Sequence, residues 1–542
     1  MRKQTKIAAV VSAAALLALG ASITSFAASK GTWMLVDGEW YCYDKNGDVY
    51  ENTFCSSNGK EYYVGEDGMI VKSDWVEYDG SYYFVNSSGA KITNDWRLTT
   101  PYDDEDGDEA WFYFQSTGKR AENKKVVWKG NTFFFDAEGK MLTGWVTANG
   151  TEVVNEENSI DPNDTYYCGE DGARIQDNWV YTTEPTAEDD EADADEYYYY
   201  LKPNGNPVVN KKRNNVKGQS YIFDDEGRML WGWIAKVEAS GSDAVYEKID
   251  EEEDTDVELS NFAGTDDEVY YCSGEDDGHV KKNKWIKTWK PAKTYEEDED
   301  EDKFWYWIEK DGKIYIPKEA DASASAWKYK FEEGQLVEDT HKNITTKKIN
   351  SKDYYFNADG EMISGFQWIS FASDSNANGM YYFGGSDDGS MKTGSQTVKD
   401  DNGDSYKFYF GTRTATNDVE ETKGRGITGN KSNKLYFDGM LIKAEDYKYQ
   451  VAVVNGLSYI INQNGSIQHA KSEYKEDGDV LIDAKGADVK FVTTNEEITA
   501  AGGTPFKYSV NVAELDNRCE TIIAADVVYE DITDADKLPD LH

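Results

Sequence analysis

A short aromatic unit recurs along most of this chain, and that self-similarity limits the folds open to it. Each copy carries two or three aromatics, about three polar residues, a glycine and then an apolar residue. Tyr62-Tyr63-Val64-Gly-Glu-Asp-Gly68-Met69 and Phe133-Phe134-Phe135-Asp-Ala-Glu-Gly139-Lys-Met141 are two examples. Tyr221-Ile222-Phe223-Asp-Asp-Glu-Gly227-Arg-Met229 and Tyr354-Tyr355-Phe356-Asn-Ala-Asp-Gly360-Glu-Met362 are two more. The undecorated period is 21 residues, from Gly47 to Gly68 and again from Gly68 to Gly89. A repeat this short is one supersecondary unit that buries its apolar face only against its neighbours. Tyr, Phe and Trp favour strands, and the Asp/Asn-x-Gly clusters between them supply positive-φ turns, so each unit reads as a β-hairpin. A lone hairpin is marginal in water. The units must therefore stack, giving a solenoid held by nearest-neighbour contacts.

A second period lies above the first. Every third hairpin carries an enlarged acidic loop between its opening aromatic and its aromatic strand; we term these type A. They open at Trp96 (with Tyr102 to Glu109), Trp179 (Glu184 to Glu196) and Trp285 (Glu296 to Asp302), and a degenerate one near Ser395 carries Asp400 to Asp404. The units after each, around Val127, Asn215, Ile349 and Leu435, have short loops. Third units open at Trp145, Trp233 and Phe366, and the loop from Lys236 to Glu268 belongs to one of them. A plainer first triplet runs through Trp33, Cys55 and Trp75, which makes about five triplets, with the register open between Trp285 and Asn343. If three hairpins complete one turn, the acidic loops form a ladder along one edge.

The formal charge is −46, and it becomes −49 once Arg2, Lys3 and Lys6 are removed with the N-terminal segment. Such a chain is repelled by nucleic acid and anionic membranes. The 14% aromatic content argues against acidic disorder. Those basic residues precede an apolar run from Ile7 to Ile23 and a small-residue site at Ser25-Phe26-Ala27, which predicts a signal peptide over 1–27 and an exported chain. No later stretch approaches the roughly 20 apolar residues of a membrane span. The C-terminal residues, Lys537 to His542, show no LPxTG-like signal, so attachment to a surface is expected to be non-covalent. Five cysteines are too few and too odd for a disulfide framework. Cys42, Cys168 and Cys272 each follow a tyrosine and read as small apolar filler, with a Cys42–Cys55 bridge as an alternative.

Catalysis finds little support. The four histidines (His279, His341, His469, His542) are isolated, and no HExxH, GxSxG or Walker spacing occurs. No cofactor is expected. Weak Ca²⁺ binding by the acidic loops is an alternative, although Asp44-Lys-Asn-Gly-Asp48 and Asp400-Asp-Asn-Gly-Asp404 place glycine one position early for a Ca²⁺ loop and read better as turns. Residues after about Lys471 lose the pattern. Val480 to Asp483, Phe506 to Val512 and Cys519 to Ala524 read as short strands of a C-terminal β cap over 471–542.

The unit Phe133-Phe-Phe-Asp-Ala-Glu-Gly139 followed by Lys140-Met-Leu-Thr-Gly-Trp145 resembles the choline-binding, or cell-wall-binding, repeat of Gram-positive surface proteins. It is also similar to repeats of glucan-binding proteins and of clostridial toxin C-terminal regions. The likeness covers roughly residues 31–470 and recurs about fifteen times. It implies a left-handed β-solenoid with three hairpins per turn, in agreement with the triplet period. In choline-binding members a quaternary ammonium sits among the opening Trp, the Trp that starts the aromatic strand and an aromatic of the next hairpin, by cation–π attraction. Here the opening Trp recurs (Trp75, Trp96, Trp145, Trp179, Trp233, Trp285), whereas the second position is mostly Glu61, Ser81, Thr132, Thr165, Ser220, Val269 or Asp353. Aromatics fill both positions in four pairs: Trp33/Trp40, Trp96/Trp111, Trp179/Tyr198 and Trp285/Trp305.

The resulting expectation is an all-β, elongated β-solenoid of stacked hairpins over 28–470, about three per turn, with a small C-terminal β segment. The expected function is non-catalytic binding of a cell-wall teichoic acid or polysaccharide outside the cell. The alternative is a spacer or adhesin whose acidic edge engages a protein partner or cations.

Overall fold

The computed structural model describes residues 31–483 and the strand Val527–Glu530, excluding 148, 153, 155–160, 186–194, 238–243, 250–256, 292–302, 319–321, 333–334, 414–420, 446, 455–456, 469–470 and 472. The segment read as a signal peptide, and most of the acidic loops after Trp179 and Trp285, lie outside these residues. None of the described residues is α-helical. The chain divides into two compact units, 1–229 and 230–542.

Among the described residues of the first unit, eight antiparallel hairpins follow one another. The first four pair Thr32–Val36 with Glu39–Tyr43, Thr53–Ser57 with Lys60–Val64, Asp74–Tyr78 with Ser81–Val85, and Asp95–Thr99 with Ala110–Phe114. The next four pair Lys124–Trp128 with Asn131–Phe135, Gly144–Thr147 with Thr165–Cys168, Asn178–Thr183 with Glu196–Leu201, and Lys211–Val216 with Gln219–Phe223. Undecorated hairpins reverse in two residues that both have positive φ, for example Asn58-Gly59 (49° and 73°) and Asp79-Gly80 (50° and 63°). That is the turn whose twist matches paired strands.

After each second strand the chain folds back and lays down a tail that joins neighbours. One tail amide donates to the preceding hairpin: Ile70 to Trp40 O (3.0 Å), Lys91 to Glu61 O (2.8 Å), Arg120 to Tyr82 O (2.8 Å) and Met141 to Trp111 O (2.9 Å). The following amide returns to its own hairpin, as Val71 does to Tyr63 O and Ala121 to Tyr113 O. The seventh hairpin has Pro207, with no N–H to give, at this place in the tail. There the side chain of Asn206 substitutes, its Nδ2 donating to Thr165 O at 2.9 Å. Side chains alternate about each strand, so one face meets the hairpin before and the other the hairpin after. Phe112 and Phe114 pack back on Trp75 and Phe84, while Tyr113 packs forward with Trp96 on Phe133 and Phe135.

Cys42, Cys55, Cys168 and Cys272 are buried thiols, as expected for apolar filler, and Cys42 and Cys55 pack with Val64. Burial pushes the Cys168 thiol up from an ordinary 9.0 to about 12. An acid whose folded value is raised supports the fold below its unfolded value and withdraws that support above it. Stability is therefore expected to fall, from this group, by about 1.4 kcal/mol per unit as pH rises from 9 towards 12. Urea titrations of Cys168→Ala beside the unaltered chain check it: the variant's stability should fall less steeply over that range, by this group's share.

The second unit departs from simple pairs. Gly232–Val237 pairs with both Glu268–Cys272 and Val245–Lys248, and Lys284–Thr288 pairs with Phe304–Ile308. Where the sequence left the register open, two long strands, Ala324–Glu332 and Gln335–Ile349, enter a five-stranded sheet. Its order is Lys352–Phe356, Gln335–Ile349, Ala324–Glu332, Phe366–Phe371, Gly379–Tyr382. Ala324 to Phe331 holds no Gly, Pro, Asn or Asp, so nothing cuts the strand to hairpin length. In the expected cap, Glu473–Glu476 pairs with Asp479–Asp483, and Val527–Glu530 extends the edge of Tyr449–Val454. Residues 506–512 and 519–524 lie outside the described residues.

Candidate aromatic binding sites

Strand register decides which side chains can share a box. The residue two places after the opening aromatic stands opposite the second aromatic position: Leu35 opposite Trp40, Leu98 opposite Trp111, Tyr181 opposite Tyr198 and Lys287 opposite Trp305. Both members of each pair thus lie on the face turned to the following hairpin. The register also corrects the sequence reading at the third hairpin. Glu77 stands opposite Tyr82, so Tyr82 and not Ser81 holds the second position. Three consecutive aromatics there allow a one-residue slip, and counting back from Val85 as from Val64 removes it. Trp75/Tyr82 is therefore a fifth aromatic pair.

Each of the five pairs is roofed by a tail residue of the next hairpin, whose amide donates to the carbonyl of the second aromatic. These roofs are Ile70 over Trp33/Trp40, Arg120 over Trp75/Tyr82, Met141 over Trp96/Trp111, Met229 over Trp179/Tyr198 and Met362 over Trp285/Trp305. All three type A pairs therefore have methionine.

The three type A boxes share further walls. Trp96 meets Trp111 edge-on at 6.4 Å and lies 4.8 Å from Phe133, 5.6 Å from Phe135 and 5.9 Å from Trp128. Trp111 is 44% exposed, so this box opens to solvent. Trp179 lies 6.5 Å from Tyr198, 4.8 Å from Tyr221 and 5.7 Å from Phe223, and Tyr181, half exposed, packs on Tyr198 at 4.6 Å. Trp285 meets Tyr354 at 4.9 Å and stacks on Phe356 at 5.7 Å. Trp305 is held by its Nε1, which donates to Asp387 at 3.1 Å, and Lys287 binds the same carboxylate at 2.9 Å. Those two donors keep Asp387 below the usual carboxylate range, the lysine bond first.

Trp33 and Trp40 are placed differently. Trp40 is 5% exposed, packed with Tyr62, Ile70 and Ala90, and Trp33 meets Tyr62 edge-on at 5.6 Å.

Indole N–H groups separate two kinds of opening tryptophan. In third-unit hairpins the N–H is capped by a carbonyl from the next, type A hairpin: Trp75 by Thr100 O (2.9 Å), Trp145 by Thr183 O (3.0 Å) and Trp233 by Trp289 O (3.0 Å). These carbonyls sit at or just past the end of the first strand, where the long acidic loop departs. Type A hairpins are instead followed by hairpins with tight turns. Trp96 Nε1 is buried and has no hydrogen-bond partner among the described residues. One role of the long loops is thus local: they cap the tryptophan before them. Tyr102, at the start of such a loop, packs back on Tyr82 at 4.8 Å and donates to Glu77 at 3.3 Å. Among the described residues no three His, Cys, Asp or Glu side chains are placed to hold a metal ion.

Sequence reasoning missed Trp128, Tyr181 and the roofing residues. Trp128 ends its strand rather than opening it, because Lys125 takes the opening place opposite Phe134. The recurring Met after the second glycine was visible as a repeat position, but the tail geometry that turns it onto the preceding pair was not.

These features define a class: an all-β protein of stacked aromatic hairpins. Its hairpin repeats are similar to those of choline-binding and glucan-linked proteins. No protein-family model matches the chain. It is 28% identical over 131 residues to glucosyltransferase-S of Streptococcus mutans serotype c, a match covering 24% of this chain and 7% of that protein. Among solved structures it is similar to the modular autolysin LytC from Streptococcus pneumoniae in complex with a synthetic peptidoglycan ligand. There the identity is 16% and the TM-score 0.32, over 62% of this chain and 53% of that one. The choline-binding domain of CbpL from Streptococcus pneumoniae is 24% identical with a TM-score of 0.17, over 39% of this chain and 99% of that one. This chain's match thus spans about half of the autolysin and a small part of the glucosyltransferase. No described helix is long and apolar enough to cross a membrane.

Proposed function

We propose that this is an extracellular, non-catalytic surface protein that binds a cell-wall glycopolymer through alkylammonium substituents held in its type A boxes. The observation that carries the reading is one arrangement repeated at Trp96, Trp179 and Trp285: tryptophan, two aromatics of the next hairpin and a methionine roof. Aromatic faces attract a cation, and each desolvated contact contributes about 0.5–2 kcal/mol. Methionine adds a polarisable apolar wall that suits methylated nitrogen. A chain with a formal charge of −46 favours a cationic group over an anionic one. The similarity to choline-binding proteins is compatible with this reading and does not carry it.

Choline chloride titrated into the full chain, against sodium chloride of equal ionic strength, is expected to bind saturably. It should also raise the melting temperature, since a ligand at 100 times its Kd stabilises by about 2.7 kcal/mol. Trp111→Ala is expected to remove one binding equivalent while leaving the fold intact, because its side chain is largely outside the core. Absence of saturable binding, or a Trp111→Ala variant with full stoichiometry, overturns the reading.

A further inference from the structure

We infer that the junction between the third and fourth hairpins is a further cation-binding aromatic box, and that this chain's own Arg120 fills it. The walls are Trp75 and Tyr82 of the third hairpin and Phe112 of the fourth. The Arg120 guanidinium carbon lies 4.4 Å from the Tyr82 ring centre, 5.4 Å from Trp75 and 5.9 Å from Phe112. It thus engages three rings from two hairpins, and Tyr102 closes the side of the box by packing on Tyr82. Arg120 is 7% exposed, and its Nε is held by Glu122 Oε1 at 2.9 Å. A buried charge needs such a partner to remain in place.

The position is the one that methionine occupies over the type A boxes. The Arg120 amide donates to Tyr82 O as the Met141 amide does to Trp111 O, and the bridge Phe114–Arg120 corresponds to Phe135–Met141. The side chain at that place differs: methionine sets a neutral wall against the rings, and arginine sends a cation among them. The Arg120 stem is also clamped from outside, since a Cβ at Gly139 would fall 2.5 Å from its Cδ. The roof residue therefore sets whether a box is available to a ligand. The chemistry implied for the emptied box is a small alkylammonium or guanidinium ion.

This inference rests on the reading that such boxes take cations, and the experiment separates the two. Arg120→Met is made in the full chain, alone and combined with Trp111→Ala, and choline stoichiometry is measured by equilibrium dialysis. The expected result is one more bound equivalent than the matching parent, in both backgrounds. An extra equivalent in the variants without saturable binding by the parent would uphold this box and sink the type A reading. Saturable binding by the parent with no extra equivalent would do the reverse. If Arg120→Met does not fold, Arg120→Ala is titrated with ethylguanidinium, which replaces the missing group. A saturable rise in melting temperature beyond that of the unaltered chain supports the assignment, and equal responses overturn it.

Discussion

Trp75→Ala is expected to destabilise the first unit by about 3–5 kcal/mol, the range for deleting a large aromatic from a packed core. Trp75 is 4% exposed and meets Phe84, Phe112 and Phe114 at 5.5, 4.9 and 5.6 Å. Its removal leaves a cavity, a Thr100 carbonyl without its indole donor and the Arg120 cation without one of its three rings. Because the described tail bonds of the first unit join adjacent hairpins, the loss should be local. Native-state hydrogen exchange is the measurement: opening free energies of Ile92, Arg120 and Ala121 amides should drop by that amount. An unchanged protection pattern there would show that this tryptophan is peripheral to the stack.

A loss of similar size, about 3–5 kcal/mol, is expected for Trp368→Ala in the second unit. Trp368 has no solvent exposure and stands opposite Trp327 in the five-stranded sheet, within a cluster of Phe366, Met380, Val398 and Phe408. Amides of Ala324–Glu332 and of Phe366–Phe371 report it. Here the wider sheet should spread the effect across both strands, whereas Trp75→Ala stays within adjoining hairpins. Equal, confined effects in both units would argue that the wide sheet behaves as separate hairpins.

The hairpins were legible because two strong signals coincide in each repeat: a run of strand-favouring aromatics and a glycine that must take positive φ. The aromatic pairs at Trp96/Trp111 and Trp179/Tyr198 were expected from the resemblance to choline-binding repeats, and the strand register sets both members of each on one face. Tyr82 was missed because Ser81-Tyr82-Tyr83-Phe84 supports two alignments, and only cross-strand pairing distinguishes them. The occupant of that box was beyond reach of the sequence, since Arg120 lies 38 positions from Tyr82 and reads as an ordinary charged residue of a tail. The long strands Ala324–Glu332 and Gln335–Ile349 were not found, because the repeat signal is silent where no glycine interrupts it. The acidic loops drew attention by charge alone, yet one thing each supplies to the fold is a backbone carbonyl at its start, at Thr100, Thr183 and Trp289, which leaves no compositional trace.

The tail that ties each hairpin to its predecessor runs in one direction only. A hairpin has its own strands paired as soon as it is made, but the carbonyl of its second position waits for an amide some 30 residues further on, as Trp40 waits for Ile70 and Trp111 for Met141. A chain released from its N-terminus consequently carries one unfinished rung at its growing end, which closes when the next arrives. Truncating such a protein at a tail leaves the last hairpin's carbonyl open, whereas removing a hairpin from the front leaves the next tail's amide without its acceptor, as Ile70 would be without Trp40.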